Sequence, residues 1–243
     1  MPRKPGVNGF PEEMQGRRDS IMTYVMSDIH GDYRGFMEML AKIGLGAGDR
    51  LYIIGDCADR GPDGVEVLDY ALHADNIILI MGNHEDMLLR TLKDGDPRMR
   101  NIWMANGGSP TLEGFLQLPT GRRIDLLDRI AALPDDLKIS AAGRTWRLVH
   151  GSPSDDRESR LWERIEPWRG ARPEPDGSMI ICGHTPTCLM DLIPERYLAR
   201  HRNGLEIYAC DWFIDVDCGR NVVPGYGRLG CLRLEDMAGF YVT

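Results

Sequence analysis

Short apolar runs, each followed by a polar loop and an amphipathic stretch, recur three times in the first part of the chain. Thr23 to Ser27, Arg50 to Ile54 and Ile77 to Met81 have the apolar character of buried strands. The residues at helical spacing after them are Phe36, Leu40 and Ile43, then Val65, Leu68 and Leu72, then Met87, Leu88 and Leu92. Asp32 can cap the first of these helices and Gly44 can end it. Three such units predict an α/β sheet with ligands gathered at the carboxyl ends of its strands.

The pattern is looser in the rest of the chain. Residues 95–124 predict an irregular excursion with a short helix around Trp103, and Asp125 to Leu133 predict a helix. Residues 151–178 are charged and rich in Pro and Gly, which predicts a flap. The strand runs of this part are Trp146 to Val149, followed by four runs of a second, more antiparallel sheet, Met179 to Cys182, Glu206 to Ala209, Phe213 to Val216 and Cys231 to Leu234.

Length and composition indicate one layered domain. With 243 residues and 42% hydrophobic content, the chain can bury a large core. We expect residues 21–243 to form this domain and residues 1–20, which are basic and interrupted by Pro and Gly, to form a flexible amino-terminal segment. That segment lacks the apolar core of an export signal, and no apolar run approaches the ~18 residues of a membrane span. The six cysteines form no zinc-type pairs, so we expect a reducing, cytoplasmic setting.

The net charge limits the partners that the chain can bind. Sequence-independent binding of nucleic acid depends on a basic face, whereas the formal charge of this chain is −8. We therefore expect no nucleic acid and no membrane among the partners, while the oligomeric state stays open. The negative charge does not argue against a phosphorylated substrate, because cations bound at a site would offset the carboxylates that hold them.

Five polar motifs, each set after an apolar run, carry the candidate chemistry. They contain four of the six histidines of the chain. Aspartate, histidine and asparagine side chains at the ends of buried strands would be costly to bury unless cations compensated them. Mixed imidazole and carboxylate ligands favour a first-row transition metal over Ca²⁺ or Mg²⁺. The motifs are Ser27 to Asp32, Gly55 to Gly61, Gly82 to Glu85, Val149 to Gly151 and Cys182 to Pro186.

These motifs predict two metal ions that share one aspartate. The expected ligands are Asp28, His30 and Asp56 for one ion, and Asp56, Asn83, His150 and His184 for the other. Two divalent ions about 3.5–4 Å apart clamp a phosphoryl group and lower the pKa of a bound water from 15.7 toward roughly 7. We expect Mn²⁺, with Fe or Zn as alternatives. The predicted reaction is hydrolysis of a phosphomonoester by direct attack of metal-bound hydroxide, with no phosphoenzyme intermediate.

Four further side chains fit the remaining tasks of such a site. His84 follows Asn83 and could protonate the departing oxygen, and Asp59 could fix the tautomer of His84. Arg60 offers a planar fork of donors that matches phosphate oxygens, and Arg164 could supply a second fork. Arg164 lies in a charged stretch for which a solvated helix is the competing interpretation.

Taken in order, the motifs resemble those of the calcineurin-like metallophosphoesterases. Within that superfamily the chain is similar to the phosphoprotein phosphatase group, specifically the small bacterial and phage-type serine/threonine phosphatases. The resemblance runs from about Tyr24 to about Leu234 and includes Trp103 to Gly108 and Leu161 to Arg164. It implies an α/β fold in which two mixed β-sheets pack face to face with helices outside, an αββα sandwich.

The resemblance also implies roles for single residues. It assigns the two sets of metal ligands given above, with His84 as the acid and Asp59 as its partner. It places Arg60 and Arg164 on the substrate phosphate, and we expect Asn83 to contact the phosphate as well. The chain departs from the family pattern at Ser27, Asp32 and Cys57-Ala58. None of these departures removes a ligand, so they affect the choice of substrate more than catalysis.

Three functions are compatible with these motifs. The first is a phosphatase of phosphoserine and phosphothreonine, with phosphotyrosine as a further candidate; its partners would be phosphorylated proteins or peptides, and small phosphomonoesters in vitro. The second is a nucleotide polyphosphate hydrolase similar to the symmetrical diadenosine tetraphosphatases, which the chain resembles in Gly61-Pro62 and Asn106 to Gly108. Asp59 and Glu85 favour the first, because protein phosphatases keep both residues. The third, a non-catalytic metal-dependent binding module, conflicts with the intact acid and arginine positions.

Other enzyme classes are excluded by the motifs that the sequence lacks. No cysteine is followed six positions later by arginine, as the phosphatases with a cysteine nucleophile require. No Walker A sequence is present, and Gly44 to Gly48 follows no strand and predicts the end of a helix. Asn106, which stands before two glycines, predicts a turn and no chemistry of its own.

Overall fold

The computed structural model describes residues 21–165, 174–187, 206–222 and 227–243. The expected amino-terminal segment, residues 1–20, and residues 166–173 of the expected flap lie outside these ranges. The described strands are β1 (Thr23–Met26), β2 (Arg50–Ile54), β3 (Ile77–Ile80), β4 (Asp136–Ala141), β5 (Arg144–Val149), β6 (Met179–Cys182), β7 (Tyr208–Ala209), β8 (Phe213–Asp215), β9 (Leu229–Arg233) and β10 (Ala238–Val242). The described helices are α1 (Tyr33–Ile43), α2 (Gly64–His73), α3 (Asn83–Leu92), α4 (Pro97–Ala105), α5 (Ser109–Gln117), α6 (Thr120–Ala131) and α7 (Arg157–Trp162). In the described ranges, none of the helices combines the length and apolar character that crossing a bilayer requires.

Two five-stranded sheets form the centre of the fold. The first has the order β10-β9-β1-β2-β3, in which β1, β2 and β3 are parallel and β9 and β10 are antiparallel to their neighbours. The second has the order β4-β5-β6-β8-β7, in which β5, β6 and β8 are parallel and the edge strands β4 and β7 are antiparallel. Both sheets are mixed, which confirms the predicted fold class.

Apolar side chains of the two sheets meet in one core, so that the sheets lie face to face. Its buried residues include Val25, Ile54 and Ile80 from the first sheet and Trp146, Leu148 and Ile181 from the second. A second apolar cluster joins the first sheet to the helices. The helical residues of that cluster include Phe36, Leu68, Met87, Trp103, Phe115 and Leu126, which lie in α1 to α6.

The first three strand and helix units form as predicted. Strand β2 has the predicted bounds, and β1 and β3 each end one residue earlier than predicted. Asp32 caps α1, because its carboxylate accepts the backbone N–H of Gly35 at 3.0 Å. Gly44 ends the same helix with φ +59°, a left-handed conformation that glycine adopts without a steric cost.

Two predictions for the later part of the chain are wrong. The short helix expected around Trp103 is α4, but the rest of residues 95–124 is not irregular, because it forms α5 and the start of α6. Two of the three prolines in this range, Pro97 and Pro110, lie in the first turn of a helix, where no N–H donor is needed. The run Cys231 to Leu234 overlaps β9, which pairs with β1 and therefore belongs to the first sheet.

Three further features were not predicted. The centre of the second sheet is parallel, although we expected a more antiparallel arrangement. Strand β4 lacks an apolar run and pairs along its full length with β5, and β10 pairs with β9. Within the expected flap, Asp156 caps α7 by accepting the backbone N–H of Ser159 at 2.8 Å.

Candidate active site

The five motifs meet at the carboxyl ends of five strands. Asp28 follows β1, Asp56 follows β2 and Asn83 follows β3. His150 and His184 follow β5 and β6 of the second sheet. All five residues are buried except His184, which is partly exposed. The two sheets therefore place polar side chains from distant parts of the chain in one dry site.

Several residues of these loops have a left-handed backbone conformation, which glycine adopts more readily than other residues do. Residues without a glycine's freedom adopt a left-handed backbone at a cost of about 1–3 kcal/mol each, and such residues gather at functional sites. Six motif residues do so: Asp28 (φ 52°), His30 (47°), Asp56 (56°), Asp59 (71°), Arg60 (65°) and His184 (66°). Their surroundings must impose this conformation.

One cluster of donor atoms forms around His30. The Nδ1 of His30 donates to the carbonyl oxygen of Ala58 at 3.2 Å, which leaves Nε2 to face the cluster. This Nε2 lies 3.6 Å from Asp28 Oδ1 and 3.8 Å from Asp56 Oδ2. His84 Nε2 lies 3.8 Å from the same Asp56 oxygen. Donor atoms of His30, Asp56 and His84 are close enough to hold one ion together.

A second cluster shares Asp56 with the first. His150 Nε2 lies 3.4 Å from Asp56 Oδ1. The carbonyl oxygen of the Asn83 side chain lies 2.9 Å from His150 Nε2 and 3.1 Å from His184 Nδ1. Donor atoms of Asp56, His150 and His184 could hold another ion. Asp56 thus turns one carboxylate oxygen toward each cluster.

The hydrogen bonds of the second cluster show that its donor set fits a metal ion. The Nδ1 of His150 donates to the carbonyl oxygen of Ile54 at 2.8 Å. The Nε2 of His184 donates to the carbonyl oxygen of Trp162 at 3.1 Å. In the neutral rings, the remaining nitrogens carry lone pairs, and both face the Asn83 oxygen, which is also an acceptor. Three acceptors that converge in this way need a positive charge between them, which a metal ion or a proton on His150 can supply.

The charges of the site also favour a bound cation. Burial disfavours the protonated form of His150, but the Asp56 carboxylate outweighs this effect and raises the pKa of His150 to about 10. Burial, and then the charge of His150, lower the pKa of His184 to about 4. Burial disfavours the charged form of Asp56, yet His150 and His84 hold the pKa of Asp56 well below its ordinary value. The site therefore stabilises positive charge beside Asp56.

The Glu85 carboxylate joins the loops after β2 and β3. It is fully buried and accepts the backbone N–H groups of Asp56 at 2.8 Å, Cys57 at 2.8 Å and Gly82 at 3.1 Å. Burial and the nearby Asp56 charge raise the pKa of Glu85 to about 7. A Cβ at Gly82 would lie 2.3 Å from Asp56 Oδ1, so the close approach of the two loops requires glycine there.

His84 lies between a carboxylate and a guanidinium. Its Nδ1 is 2.6 Å from Asp59 Oδ2, and its Nε2 is 3.2 Å from Arg60 Nη2. The other guanidinium nitrogen, Arg60 Nη1, lies 2.6 Å from His30 Nε2. Burial disfavours the charged form of His84, but Asp56 and Asp59 more than offset it and raise the pKa of His84. The raised pKa favours a protonated His84, and its Nε2, which faces the Arg60 donor in this geometry, lies next to the first cluster.

Comparison with known proteins agrees with this geometry. The family of calcineurin-like phosphoesterases matches residues 21–188, which include all five motifs. The chain belongs to this family. The resemblance expected from the motifs is thereby confirmed. The family is one of phosphoesterases, and the donor groups on the two sides of Asp56 are candidates for holding metal ions.

Curated relatives of this chain carry names of two kinds. Serine/threonine-protein phosphatase 2 of Escherichia coli (strain K12) is 31% identical over 131 residues, which are 52% of this chain and 56% of that protein. A symmetrical bis(5'-nucleosyl)-tetraphosphatase of Neisseria gonorrhoeae (strain NCCP11945) is 32% identical over 129 residues, which are 52% of this chain and 42% of that protein. The chain spans about half the length of these curated relatives. A metallophosphoesterase from Sphaerobacter thermophilus shares the fold with a TM-score of 0.55 and 19% identity, over 92% of this chain and 89% of the other.

The structure places the two expected arginines differently. Arg60 contacts His30 and His84 directly. Arg164 is exposed and follows α7 in a segment that is not helical. Its charge lowers the pKa of His184, although burial and His150 have the larger effects. Arg164 thus lies on the solvent side of the second cluster. The competing interpretation, a solvated helix, does not hold at Arg164, because α7 ends at Trp162.

Three residues outside the motifs, Trp103, Thr111 and Asn221, form hydrogen bonds with the motif loops. Trp103 Nε1 donates to Asp59 Oδ2 at 2.7 Å, and Thr111 Oγ1 accepts the backbone N–H of Asp59 at 2.8 Å. Asn221 Nδ2 donates to the carbonyl oxygen of His30 at 2.8 Å. These contacts join segments that are 44, 52 and 191 residues apart, so no local pattern predicts them.

Proposed function

We propose that this phosphoesterase removes phosphate from phosphoserine and phosphothreonine in proteins. The observation that carries the proposal is the 2.6 Å contact between His84 Nδ1 and Asp59 Oδ2. It turns Nε2 of His84 toward the cluster, where a proton on that atom can pass to the departing oxygen. The alkoxide of serine or threonine is a strong base, and its departure depends on such a proton.

The proposed metal ligands form two sets that share Asp56. They are Asp28, His30 and Asp56 for one ion, and Asp56, Asn83, His150 and His184 for the other. When bound, two divalent ions would supply charge stabilisation to the phosphoryl oxygens and activate a water for attack. Their mixed nitrogen and oxygen donors suit Mn²⁺, with Fe or Zn as alternatives. The protein holds these donors in place through backbone carbonyls and through Glu85.

The proposed phosphate ligands lie next to the acid. Arg60 can donate from both Nη atoms, which already face His30 and His84. A phosphate oxygen held by Arg60 would therefore place the departing oxygen within reach of His84. Arg164 would approach the phosphate from the solvent side, and the Asn83 amide nitrogen can donate while its oxygen faces the second cluster.

A nucleotide polyphosphate is the second candidate substrate. Its support is the 32% identity to a symmetrical bis(5'-nucleosyl)-tetraphosphatase, over the same 52% of the chain that matches the protein phosphatase. Cleavage of a polyphosphate releases a phosphate group, which is a weak base and needs little protonation. The dependence of turnover on His84 therefore separates the two candidates.

The test is a side-by-side assay of the Mn²⁺-loaded protein. Its substrates are a phosphoserine peptide, diadenosine tetraphosphate and bis(p-nitrophenyl) phosphate. The control is the Asp56→Asn variant, prepared in parallel, because any activity it retains would come from a contaminating phosphatase. We expect the highest kcat/KM for the peptide. A higher kcat/KM for diadenosine tetraphosphate would support the second candidate instead, and hydrolysis of none of the three would contradict both.

A further inference from the structure

The indole of Trp103 contacts the carboxylate that orients His84. Trp103 is fully buried, and its Nε1 donates to Asp59 Oδ2 at 2.7 Å. His84 Nδ1 lies 2.6 Å from the same oxygen. Asp59 Oδ1 is buried and has no hydrogen-bond partner in the described part of the chain. One carboxylate oxygen therefore receives both donors while the other receives none.

This unequal use of the two oxygens restrains the carboxylate. An unrestrained carboxylate can rotate about its Cβ–Cγ bond and turn its oxygens out of line with the imidazole. The indole of Trp103 cannot follow such a rotation, because it is packed among the buried side chains of the apolar cluster that joins the first sheet to the helices. Rotation of Asp59 would leave the indole N–H buried without an acceptor, which disfavours it. Trp103 thus holds Oδ2 in the position that His84 needs.

Residues of α5 and of the turn before it also form hydrogen bonds with the backbone next to this carboxylate. Thr111 Oγ1 accepts the N–H of Asp59 at 2.8 Å, and the carbonyl oxygen of Gly107 accepts the N–H of Arg60 at 2.9 Å. A Cβ at Gly108 would lie 2.5 Å from the indole nitrogen, so the turn between the helices leaves room for the indole. The turn formed by Asn106, Gly107 and Gly108 therefore leaves space for the Trp103 indole and holds the backbone of Arg60.

We propose that Trp103 is a positioning residue for the proposed acid, acting on His84 through Asp59. This inference rests on the proposed function. The indole N–H holds Asp59 Oδ2 against His84 Nδ1, so that the ring keeps its Nδ1–H tautomer and directs Nε2 at the departing oxygen. Without the N–H, the carboxylate is free to rotate and the imidazole loses its fixed orientation.

The first test compares Trp103→Phe with the wild-type protein on two phosphomonoesters. Phenyl phosphate has a poor leaving group and p-nitrophenyl phosphate a good one. We expect kcat for phenyl phosphate to fall about 10–100-fold, the usual effect of losing a residue that orients an active-site ligand, with little change in KM. The loss on p-nitrophenyl phosphate should be smaller, because nitrophenolate leaves without a proton. Equal losses on both substrates, or no loss, would overturn the inference.

Trp146→Phe is the matched control. Trp146 is also buried, and its Nε1 also donates a hydrogen bond, to the carbonyl oxygen of Ala141 at 2.9 Å in the second sheet. The control loses an indole N–H at a distance from His84, so it should keep both kcat values. A leaving-group effect in Trp146→Phe as large as in Trp103→Phe would show that the change is structural and would contradict the inference.

The second test reports on His84 without any turnover. Imidazole ¹⁵N NMR of the metal-free protein, recorded at a pH above the pKa of His84 so that the ring is neutral, should show His84 as the Nδ1–H tautomer, and Trp103→Phe should give a mixture of tautomers. Benzothienylalanine at position 103 keeps the shape of the indole and lacks the N–H, so it covers the case in which the Phe variant does not fold. An unchanged His84 tautomer in both variants would refute the role of the N–H.

These measurements separate the inference from the proposed function. In a His84→Asn background, Trp103→Phe should cause no further loss of kcat, because the path through His84 is already removed; an additional loss of the full size would contradict the inference. A wild-type protein that hydrolyses none of the phosphoesters would defeat the proposed function alone, since the tautomer measurement still decides the role of Trp103.

Discussion

The carboxylate of Glu85 accepts the backbone N–H of Asp56 at 2.8 Å, from a helix that follows a different strand. The same carboxylate accepts the N–H groups of Cys57 and Gly82, so one buried side chain fixes the ends of both loops. Asp56 has a left-handed backbone with φ 56°, which these contacts help to impose. Glu85 thus connects the stability of the fold to the geometry of the site.

Replacing Glu85 tests that connection. In Glu85→Gln, the amide NH₂ would face backbone donors, so at least one buried N–H would lose its acceptor. We expect the free energy of unfolding to fall by about 1–3 kcal/mol, measured by urea denaturation. Glu113→Gln on the exposed side of α5 is the control and should leave the stability unchanged. Equal stabilities of the two variants would show that Glu85 does not hold the loops.

Gly82 is a second point at which the two loops approach closely. A Cβ there would lie 2.3 Å from Asp56 Oδ1 and 2.6 Å from the backbone nitrogen of Asp56. Gly82→Ala should therefore destabilise the protein by at least about 1–3 kcal/mol and weaken Mn²⁺ binding, measured by urea denaturation and calorimetry.

Gly121→Ala is the control for this substitution. Gly121 lies in α6, and a Cβ there would meet no atom within 4 Å. Because alanine favours a helix over glycine, the control should be unchanged or up to about 1 kcal/mol more stable. A Gly82→Ala protein as stable as Gly121→Ala would contradict the described approach of the loops.

Removal of His84 should affect substrates according to their leaving group. We expect His84→Asn to lower kcat/KM for a phosphoserine peptide by about 10²–10⁴-fold, the usual contribution of a general acid. The loss on p-nitrophenyl phosphate should be much smaller. Kinetics on both substrates with one Mn²⁺-loaded preparation provide the comparison, and losses of equal size would argue against a proton on His84.

The first half of the fold was predictable because each element carries its own local signal. Strand β2 combines an apolar run with a polar loop, and α1 has both a capping Asp32 and a terminal Gly44. The signals of α4 and α5 are weaker, since each helix buries only two residues; a short helix around Trp103 was expected, whereas α5 was not. The place of β9 beside β1 depends on pairing between residues that lie far apart in the chain, which no local pattern contains.

The candidate site was predictable in its residues and not in its contacts. The motifs identify Asp56 and His84 by position after a strand. They do not show that Asp59 receives an indole N–H from Trp103, because the short helix predicted around Trp103 carries no sign of what its side chains contact 44 residues away. Arg164 illustrates the same limit, since its position depends on where α7 ends.

The central claim is that two metal ions bind on either side of one carboxylate. The most direct measurement is an anomalous difference map from crystals of the protein grown with Mn²⁺, collected for the wild type and for Asp56→Asn. We predict two Mn²⁺ peaks in the wild type, one beside each oxygen of Asp56, and the loss of at least one peak in the variant. A wild-type preparation that hydrolyses phosphoesters and shows one peak, or none beside Asp56, would contradict the claim.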